Sequence, residues 1–260
     1  TPSNTPWSIS EFPSNALSAR CLLLSAMPNT VTDLRAKLIT WHLTDSALPT
    51  GSFAHSAGME TFIQSGQIDD AESYGRWLAT YLYQASFNEA LAVRLGMELA
   101  TSPLNDTEKI SQLSQLDQLC HASQASRQIR QSMNTMGKRM ARVVAITVSD
   151  ASLVSEYAAG ISEGRYHGNP GIAAGLAFGC VGVSTIDGVH AYLLQMANSM
   201  TQNAIRSIPL GQDAGQRTLV AAYDHIERAA ELTMRHSTAE LGVVAPAIEI
   251  SQMQHEGLHA

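Results

Sequence analysis

The sequence predicts an all-α, single-domain helical bundle of about ten helices, one of them a buried helix rich in glycine and alanine. Apolar residues recur at helical spacing over most of the 260 residues, as they do in helices that bury one face. No stretch shows convincing strand alternation, and no internal repeat is found. Apolar residues make up 45% of the chain and charged residues only 15%, which favours a folded protein with a sizeable core.

The first 26 residues are predicted to be a disordered extension, and residues 27–260 to form the all-α domain. Residues 1–15 are polar, rich in Pro, Ser and Asn, and lack periodicity. The apolar patch at 21–24 is shorter than the roughly 7–15 residues in the hydrophobic region of a secretory signal. The helical pattern begins soon after Met27, which is therefore the predicted natural start.

Each helix is marked by apolar residues three or four positions apart. Leu34, Leu38 and Trp41 lie on one face of a first helix, and Asp69 with Glu72 predicts a capping box for the next one. The later helices are marked by Tyr74, Trp77, Leu78, Tyr81 and Leu82, by Leu113, Leu116, Leu119 and Cys120, by Ile129, Met133, Met136, Met140 and Val144, by Tyr192, Leu193, Met196 and Met200, and by Leu219, Val220, Tyr223 and Ile226.

Residues 170–186 are the most membrane-like stretch, and they are predicted to form a buried central helix. Asn169 and Pro170 fit an N-cap and a first helical position, whereas the apolar run falls short of the roughly 20 residues that span a bilayer. Ser237 and Glu240 predict the cap of a last helix that is interrupted at Pro246. Three glycines four residues apart predict a face that another helix approaches closely, namely Gly171, Gly175 and Gly179.

The composition argues against several classes of protein. A net charge of −7 disfavours nucleic-acid binding, which needs clustered Lys and Arg. Cys21, Cys120 and Cys180 are widely spaced and odd in number, so they indicate neither a disulfide framework nor a CxxC metal site. A reducing cytoplasm is the predicted compartment.

The C-terminal run from His255 to His259 fits H-E-x-x-H, in which two histidines bind Zn²⁺ and the glutamate, here Glu256, is a general base. No third protein ligand follows in this sequence, and Gly257 weakens the helix that the motif requires. A minimal zinc metallopeptidase therefore remains an alternative hypothesis, as does a generic helical ligand-binding regulator. The main prediction assigns no catalytic residue, no metal ligand and no cofactor.

The most informative segment is residues 44–61, where a Pro-Thr-Gly break separates two helix-like runs. Polar residues and glycines are crowded there between apolar neighbours, which is typical of a buried junction that places a few polar groups accurately. Pro and Gly are expected to set backbone geometry. The candidate residues are Asp45, Pro49, Gly51, His55, Ser56, Gly58 and Glu60.

This segment closely resembles the D-x-A-L-P-x-G-x-x-x-H-S-x-G-[LM]-E signature of the UreF family of urease accessory proteins. A second stretch is similar to that family's S-x-P-L-[GS]-Q-x-x-G-Q segment, through Pro209, Gly211, Gln212, Gly215 and Gln216. Shorter similarities are found in a middle helix, at Arg130 and Gly137, and in a C-terminal Q-H-E-x-L segment, at Gln254, His255 and Glu256.

The resemblance implies a non-catalytic accessory protein of urease maturation. Family members bind the UreD/UreH-type accessory protein and recruit the nickel-carrying GTPase UreG, and the assembly inserts nickel into apo-urease. The resemblance also implies a homodimer. The negative net charge and the shortness of the apolar stretch predict that neither a nucleic acid nor a membrane is a partner. Nickel is then cargo of the complex, and whether it touches this chain stays open.

Two pairs of candidate residues have alternative roles. His55 and Glu60 either form internal hydrogen bonds or contact a partner or the path of the metal. Arg130 and Gly137 either belong to a solvated basic face, with the glycine at a helix crossing, or contact a partner. The segments 207–216 and 254–256 are predicted to face partners.

Overall fold

The computed structural model describes residues 30–51 and 56–255 of the chain. Within these ranges the protein is helical and contains no strand. A single large hydrophobic cluster joins residues from Ile39 to Ile248, so the predictions of an all-α fold and of one domain are confirmed. The predictions for residues 1–26, His55 and Glu256 lie outside the described residues.

The helices follow one another with short connections, except that residues 44–58 separate the first two. They are α1 (Thr30–Leu43), α2 (Met59–Gln64), α3 (Ala71–Ala85), α4 (Glu89–Thr101), α5 (Asp106–Ala122), α6 (Arg127–Thr147), α7 (Ser152–Glu163), α8 (Pro170–Cys180), α9 (Thr185–Ser207), α10 (Gln212–Ala221), α11 (Tyr223–Arg235), a 3₁₀ turn (Thr238–Glu240) and α12 (Pro246–His255).

Helix α8 is the predicted central helix, and every residue from Pro170 to Gly179 is buried. Asn169 caps it by accepting a 3.1 Å hydrogen bond from the backbone N–H of Ile172, and Pro170 occupies the first turn. Both features follow the sequence prediction. Helix α8 packs most extensively on α4 and next on α6. Among the described helices, none is both long enough and apolar enough to cross a membrane.

The glycines of α8 allow its backbone to touch that of α4. A Cβ atom on Gly175 would lie 2.2 Å from the carbonyl oxygen of Val93, and one on Gly179 would lie 2.8 Å from that of Met97. A real Cβ needs more than 3 Å, so only glycine permits this approach. The close approach predicted from the spacing of the glycines is confirmed, with α4 as the neighbouring helix.

Two predicted helix caps differ in position from those observed. Helix α3 is capped by Asp70 and Ser73, one residue later than predicted, because the short Ser73 side chain bonds back to the N-cap backbone while Glu72 pairs with Arg76. Ser237 and Glu240 do form a capping box, but it caps the 3₁₀ turn. The last helix starts only at Pro246, six residues after Glu240.

One predicted apolar face points to solvent. Leu34, Leu38 and Trp41 share a face of α1, yet they are 55%, 53% and 63% exposed. The opposite side of α1 is buried through Ile39 and Leu43. Periodicity identifies a face of a helix, but it does not identify which of two apolar faces the core takes.

Candidate functional site

The first half of the signature segment is a tight turn that packs on α6. The Asp45 carboxylate accepts a 2.8 Å hydrogen bond from the backbone N–H of Ala47, which fixes the turn after α1. Thr50 is buried, whereas Pro49 is exposed. Gly51 has φ +88°, and a Cβ there would lie 2.6 Å from Nη1 of Arg139. Glycine at this position therefore lets the Arg139 guanidinium rest on the turn.

The second half of the signature segment leads into α2 through two left-handed residues. Ala57 has φ 51° and Gly58 has φ 83°, a backbone that costs a non-glycine residue roughly 1–2 kcal/mol. The carbonyl of buried Ser56 accepts a 2.9 Å hydrogen bond from the N–H of Met59. Glu60 is half-buried in the first turn of α2.

The C-terminal helix α12 is seated on this segment. Ser251 Oγ donates a 2.5 Å hydrogen bond to the carbonyl of Gly58, and Gln252 Nε2 donates a 3.3 Å bond to that of Ala57. Thr61 Oγ1 donates in return to the carbonyl of Ser251 at 3.1 Å. The structure thus brings together the signature segment and the helix that carries Gln254 and His255.

The connection before α12 is held by a buried glutamine on α3. Gln84 Oε1 accepts hydrogen bonds from the backbone N–H groups of Val244 (2.8 Å) and Ala245 (2.7 Å). Its Nε2 donates to the carbonyl of Gly242 at 3.3 Å. This side chain fixes the direction in which the chain enters α12. No sequence pattern predicts this role, because Gln84 belongs to no motif and to no apolar repeat.

The start of α6 forms a second support for α12. Ser126 Oγ donates to the carbonyl of Gln252 at 3.5 Å. Arg130 Nη1 donates to the carbonyls of Gln124 (2.5 Å) and Ala125 (2.8 Å). Arg130 therefore has an internal role that neither sequence alternative named, since it orders the turn beneath α12.

Gly137 lies where the segment before α8 crosses α6. A Cβ on Gly137 would lie 2.4 Å from the backbone N of Asn169. The buried carboxylate of Asp117 orders this segment by accepting hydrogen bonds from the N–H of His167 (2.7 Å) and the hydroxyl of Tyr157 (2.7 Å). Gly137 is thus at a crossing, as one alternative had it, although the crossing segment is a loop and not a helix.

Two histidines that are far apart in the sequence, His121 and His167, are stacked in the structure. The rings of His121 and His167 have centroids 3.6 Å apart and planes 7° apart. His121 Nδ1 lies 3.2 Å from Oδ1 of Asn134. Only the folded arrangement of α5 and the loop before α8 brings them together. In the described part of the chain, no group of three or more His, Cys, Asp or Glu side chains could hold a metal ion.

The second motif lies at a separate surface groove of about 770 Å³ that is lined by α1, α9, α10 and the start of α11. Gly211 is the N-cap residue of α10. Gly215 packs closely on Ile205, because a Cβ atom on Gly215 would lie 2.5 Å from the Ile205 Cδ1 atom. Gln216 is exposed and lines the groove. Pro209 and Gln212 are exposed as well, but they do not line it. The apolar walls of the groove include Trp41, Leu194 and Tyr223.

A cavity of about 60 Å³ lies beneath the signature turn. Leu48 and Thr50 line it, together with Glu89 and methionines from α6 and α9. The Glu89 oxygen Oε2 is buried without a hydrogen-bond partner. Burial, followed by the negative charge of Glu249, raises the pKa of Glu89 from 4.5 to about 7. The site therefore contains a carboxyl group that changes charge near neutral pH.

We expect Glu89→Gln to change how the stability of the protein depends on pH. A carboxyl whose pKa is higher in the folded state stabilises the fold while protonated, and this contribution is lost as the pH rises from about 4.5 to about 7. At pH 8 the variant should therefore be the more stable protein. Its advantage in free energy of unfolding over the wild type should grow by up to about 3 kcal/mol between pH 4.5 and pH 8. Urea titrations at both pH values measure this difference. Exposed Glu227→Gln is the control, and an equal pH response of both variants would contradict the assignment.

Fold and site together define an all-α scaffold whose signature segment seats its own C-terminal helix. The model of the UreF family matches residues 68–223. The chain is 38% identical to "Urease accessory protein UreF" of Arthrobacter sp. (strain FB24), over 85% of this chain and 93% of that protein. It is 38% identical to the protein of the same name of Corynebacterium glutamicum (strain R), over 86% and 96%.

The chain belongs to the UreF family of urease accessory proteins. It is therefore a non-catalytic accessory protein and not an enzyme. The resemblance read from the two motifs is confirmed. This family assignment argues against the alternative of an H-E-x-x-H metallopeptidase. Of the residues in that motif, the structure describes only the backbone of His255.

Proposed function

We propose that this chain is an adaptor of urease maturation in the cytoplasm. It binds a UreD/UreH-type accessory protein and recruits the UreG GTPase, so that nickel is inserted into apo-urease. The observation that carries the proposal is the seating of α12 on the signature segment. The buried side of α12 is fixed there by Ser251 and Gln252, so the helix presents its opposite side in a defined orientation.

The outer side of α12 has the properties of a protein-binding surface. Ile250 is 52% exposed and Met253 is 45% exposed, and residues three apart on a helix are neighbours. Gln254, from the C-terminal motif, is exposed beside them. Methionine is enriched in protein interfaces, and the buried core of an interface is more apolar than its rim.

We expect Ile250→Asp/Met253→Asp to abolish binding to these partners while the fold is retained. The full chain is co-expressed with the UreD/UreH-type and UreG proteins of its source, and the complexes are separated by size exclusion. Met234→Asp, which alters an exposed methionine on α11, should leave complex formation intact. If the wild-type chain forms no complex with either protein, the adaptor proposal is wrong.

The proposed adaptor is a homodimer that associates through the groove at the second motif. Trp41, Leu194 and Tyr223 are exposed apolar residues that line this groove. Further exposed apolar residues on helices that form the groove are Leu34 and Leu38 on α1 and Val220 on α10. Taking about 200 Å² for a fully exposed large side chain, the exposed surface of all these residues is on the order of 600 Å². Such a patch is large for a monomer and approaches the roughly 800 Å² that each partner contributes to a standard interface. Size exclusion of the chain alone tests for the dimer.

A further inference from the structure

Helix α6 has a charge opposite to that of the whole protein. It contains five of the chain's 16 Lys and Arg residues and neither Asp nor Glu. A helix of charge +5 in a chain of net charge −7 leaves −12 for the remaining residues. Charge of one sign is therefore concentrated on one element.

Three of these cations form an exposed surface near the signature turn. Lys138, Arg139 and Arg142 are exposed, and among the described residues none of them forms an ion pair with a carboxylate. Arg139 rests on Gly51, which places the group beside the signature segment. Ile146, one turn further along, is 82% exposed. We call Lys138, Arg139, Arg142 and Ile146 the basic stripe.

We propose that the basic stripe is a docking surface for an acidic surface of a protein partner. Its three cations lie within about 6 Å along the helix axis, at 1.5 Å per residue. Arginine binds carboxylates through two parallel hydrogen bonds, and it is enriched in protein interfaces. Charge complementarity therefore selects a partner with clustered Asp or Glu side chains around a small apolar contact.

A protein fits the basic stripe better than a nucleic acid or a membrane does. Nucleic-acid binding relies on several phosphate contacts, and the charge of −12 outside α6 repels an extended polyanion. Membrane-surface helices need a broad apolar face, whereas the basic stripe offers a single isoleucine. The inference rests on the adaptor function proposed above and adds the chemistry of one partner surface to it.

The test is a charge reversal, Lys138→Glu/Arg142→Glu, which leaves the contact between Arg139 and Gly51 intact. The matched control is Arg228→Glu/Arg235→Glu on α11, which changes the net charge by the same amount. Each full-length protein is immobilised, and its binding to the co-purified urease apoprotein and accessory proteins is measured in 50 mM and 200 mM NaCl. Thermal melts by circular dichroism verify that both variants fold.

We expect the stripe variant to bind at least one of these proteins at least tenfold more weakly, with less dependence on salt, and the control to stay within about twofold of the wild type. Equal binding by the stripe variant and the control would overturn this inference and leave the adaptor proposal standing. A wild type that binds none of the proteins would overturn both. Anionic vesicles and a 20-base-pair duplex serve as further probes, and stripe-dependent binding to either would overturn the assignment to a protein partner.

Discussion

Gly175→Ala is expected to lower the free energy of unfolding by about 2–3 kcal/mol, as overpacked cores do. The added Cβ would lie 2.2 Å from the carbonyl oxygen of Val93 and 3.1 Å from the backbone N of Met97. Both atoms belong to the backbone of α4, so no side chain can rotate away. Helices α4 and α8 must separate, and the central contact of the bundle is loosened. The gain in helix propensity of alanine over glycine, about 1 kcal/mol, offsets only part of this loss.

The matched control for this substitution is Gly211→Ala. A Cβ on Gly211 has no atom within 4 Å, and the residue has an ordinary φ of −64°. Urea unfolding followed by circular dichroism measures both variants. At 2–4 °C per kcal/mol for a chain of this size, Gly175→Ala should melt roughly 4–12 °C below the wild type. Equal stability of the two variants would show that α4 and α8 are not in backbone contact.

Gly58→Ala is expected to lower the stability of the protein and to detach α12 from the signature segment. The substituted residue must keep φ +83°, and its Cβ would lie 2.8 Å from Cγ of Gln252 and 3.1 Å from the Gln252 backbone N. The left-handed backbone alone costs roughly 1–2 kcal/mol, and the contact with α12 adds to it. We therefore expect a loss of about 2–4 kcal/mol, with faster proteolysis of the chain after Gly242.

Gly66→Ala separates the two contributions to this loss. Gly66 also has a left-handed backbone, with φ +70°, but a Cβ there has no atom within 4 Å. This variant should lose only the roughly 1–2 kcal/mol of the left-handed backbone and should keep α12 as resistant to protease as in the wild type. The difference between the two variants measures the contact between the signature segment and α12. If both variants expose α12 equally, Gly58 does not seat that helix.

Much of the fold could be predicted because helical periodicity is a local property of the sequence. Tyr74, Leu78 and Leu82 were expected on one face of a helix, and all three are fully buried. The face of α1 with Leu38 and Trp41 was also identified, but its exposure depends on which side α8 and α9 cover. Tyr223 begins a new helix after a break at Ala222, which the continuous apolar spacing hid.

The site could be predicted only as a junction. The positions of Gly51 and Gly58 indicated special backbone geometry, and both have positive φ. What Gly58 contacts could not be read from the sequence, because the hydrogen bond from Ser251 joins residues 193 positions apart. Tertiary packing also produces the stacking of His121 on His167 and the hydrogen bonds between Gln84 and the backbone of residues 242–245.

Because α12 is held by its contacts with the signature segment, the affinity for a partner that binds α12 depends on the stability of those contacts. A partner that binds the outer side of α12 in its docked orientation binds only the docked fraction of molecules, so its apparent dissociation constant rises as that fraction falls. Once the undocked form predominates, each further 1.4 kcal/mol lost between Gly58 and Gln252 weakens binding tenfold. By thermodynamic reciprocity, a bound partner stabilises the signature turn. The signature segment can thereby set how tightly a partner is held through its contact with α12 alone.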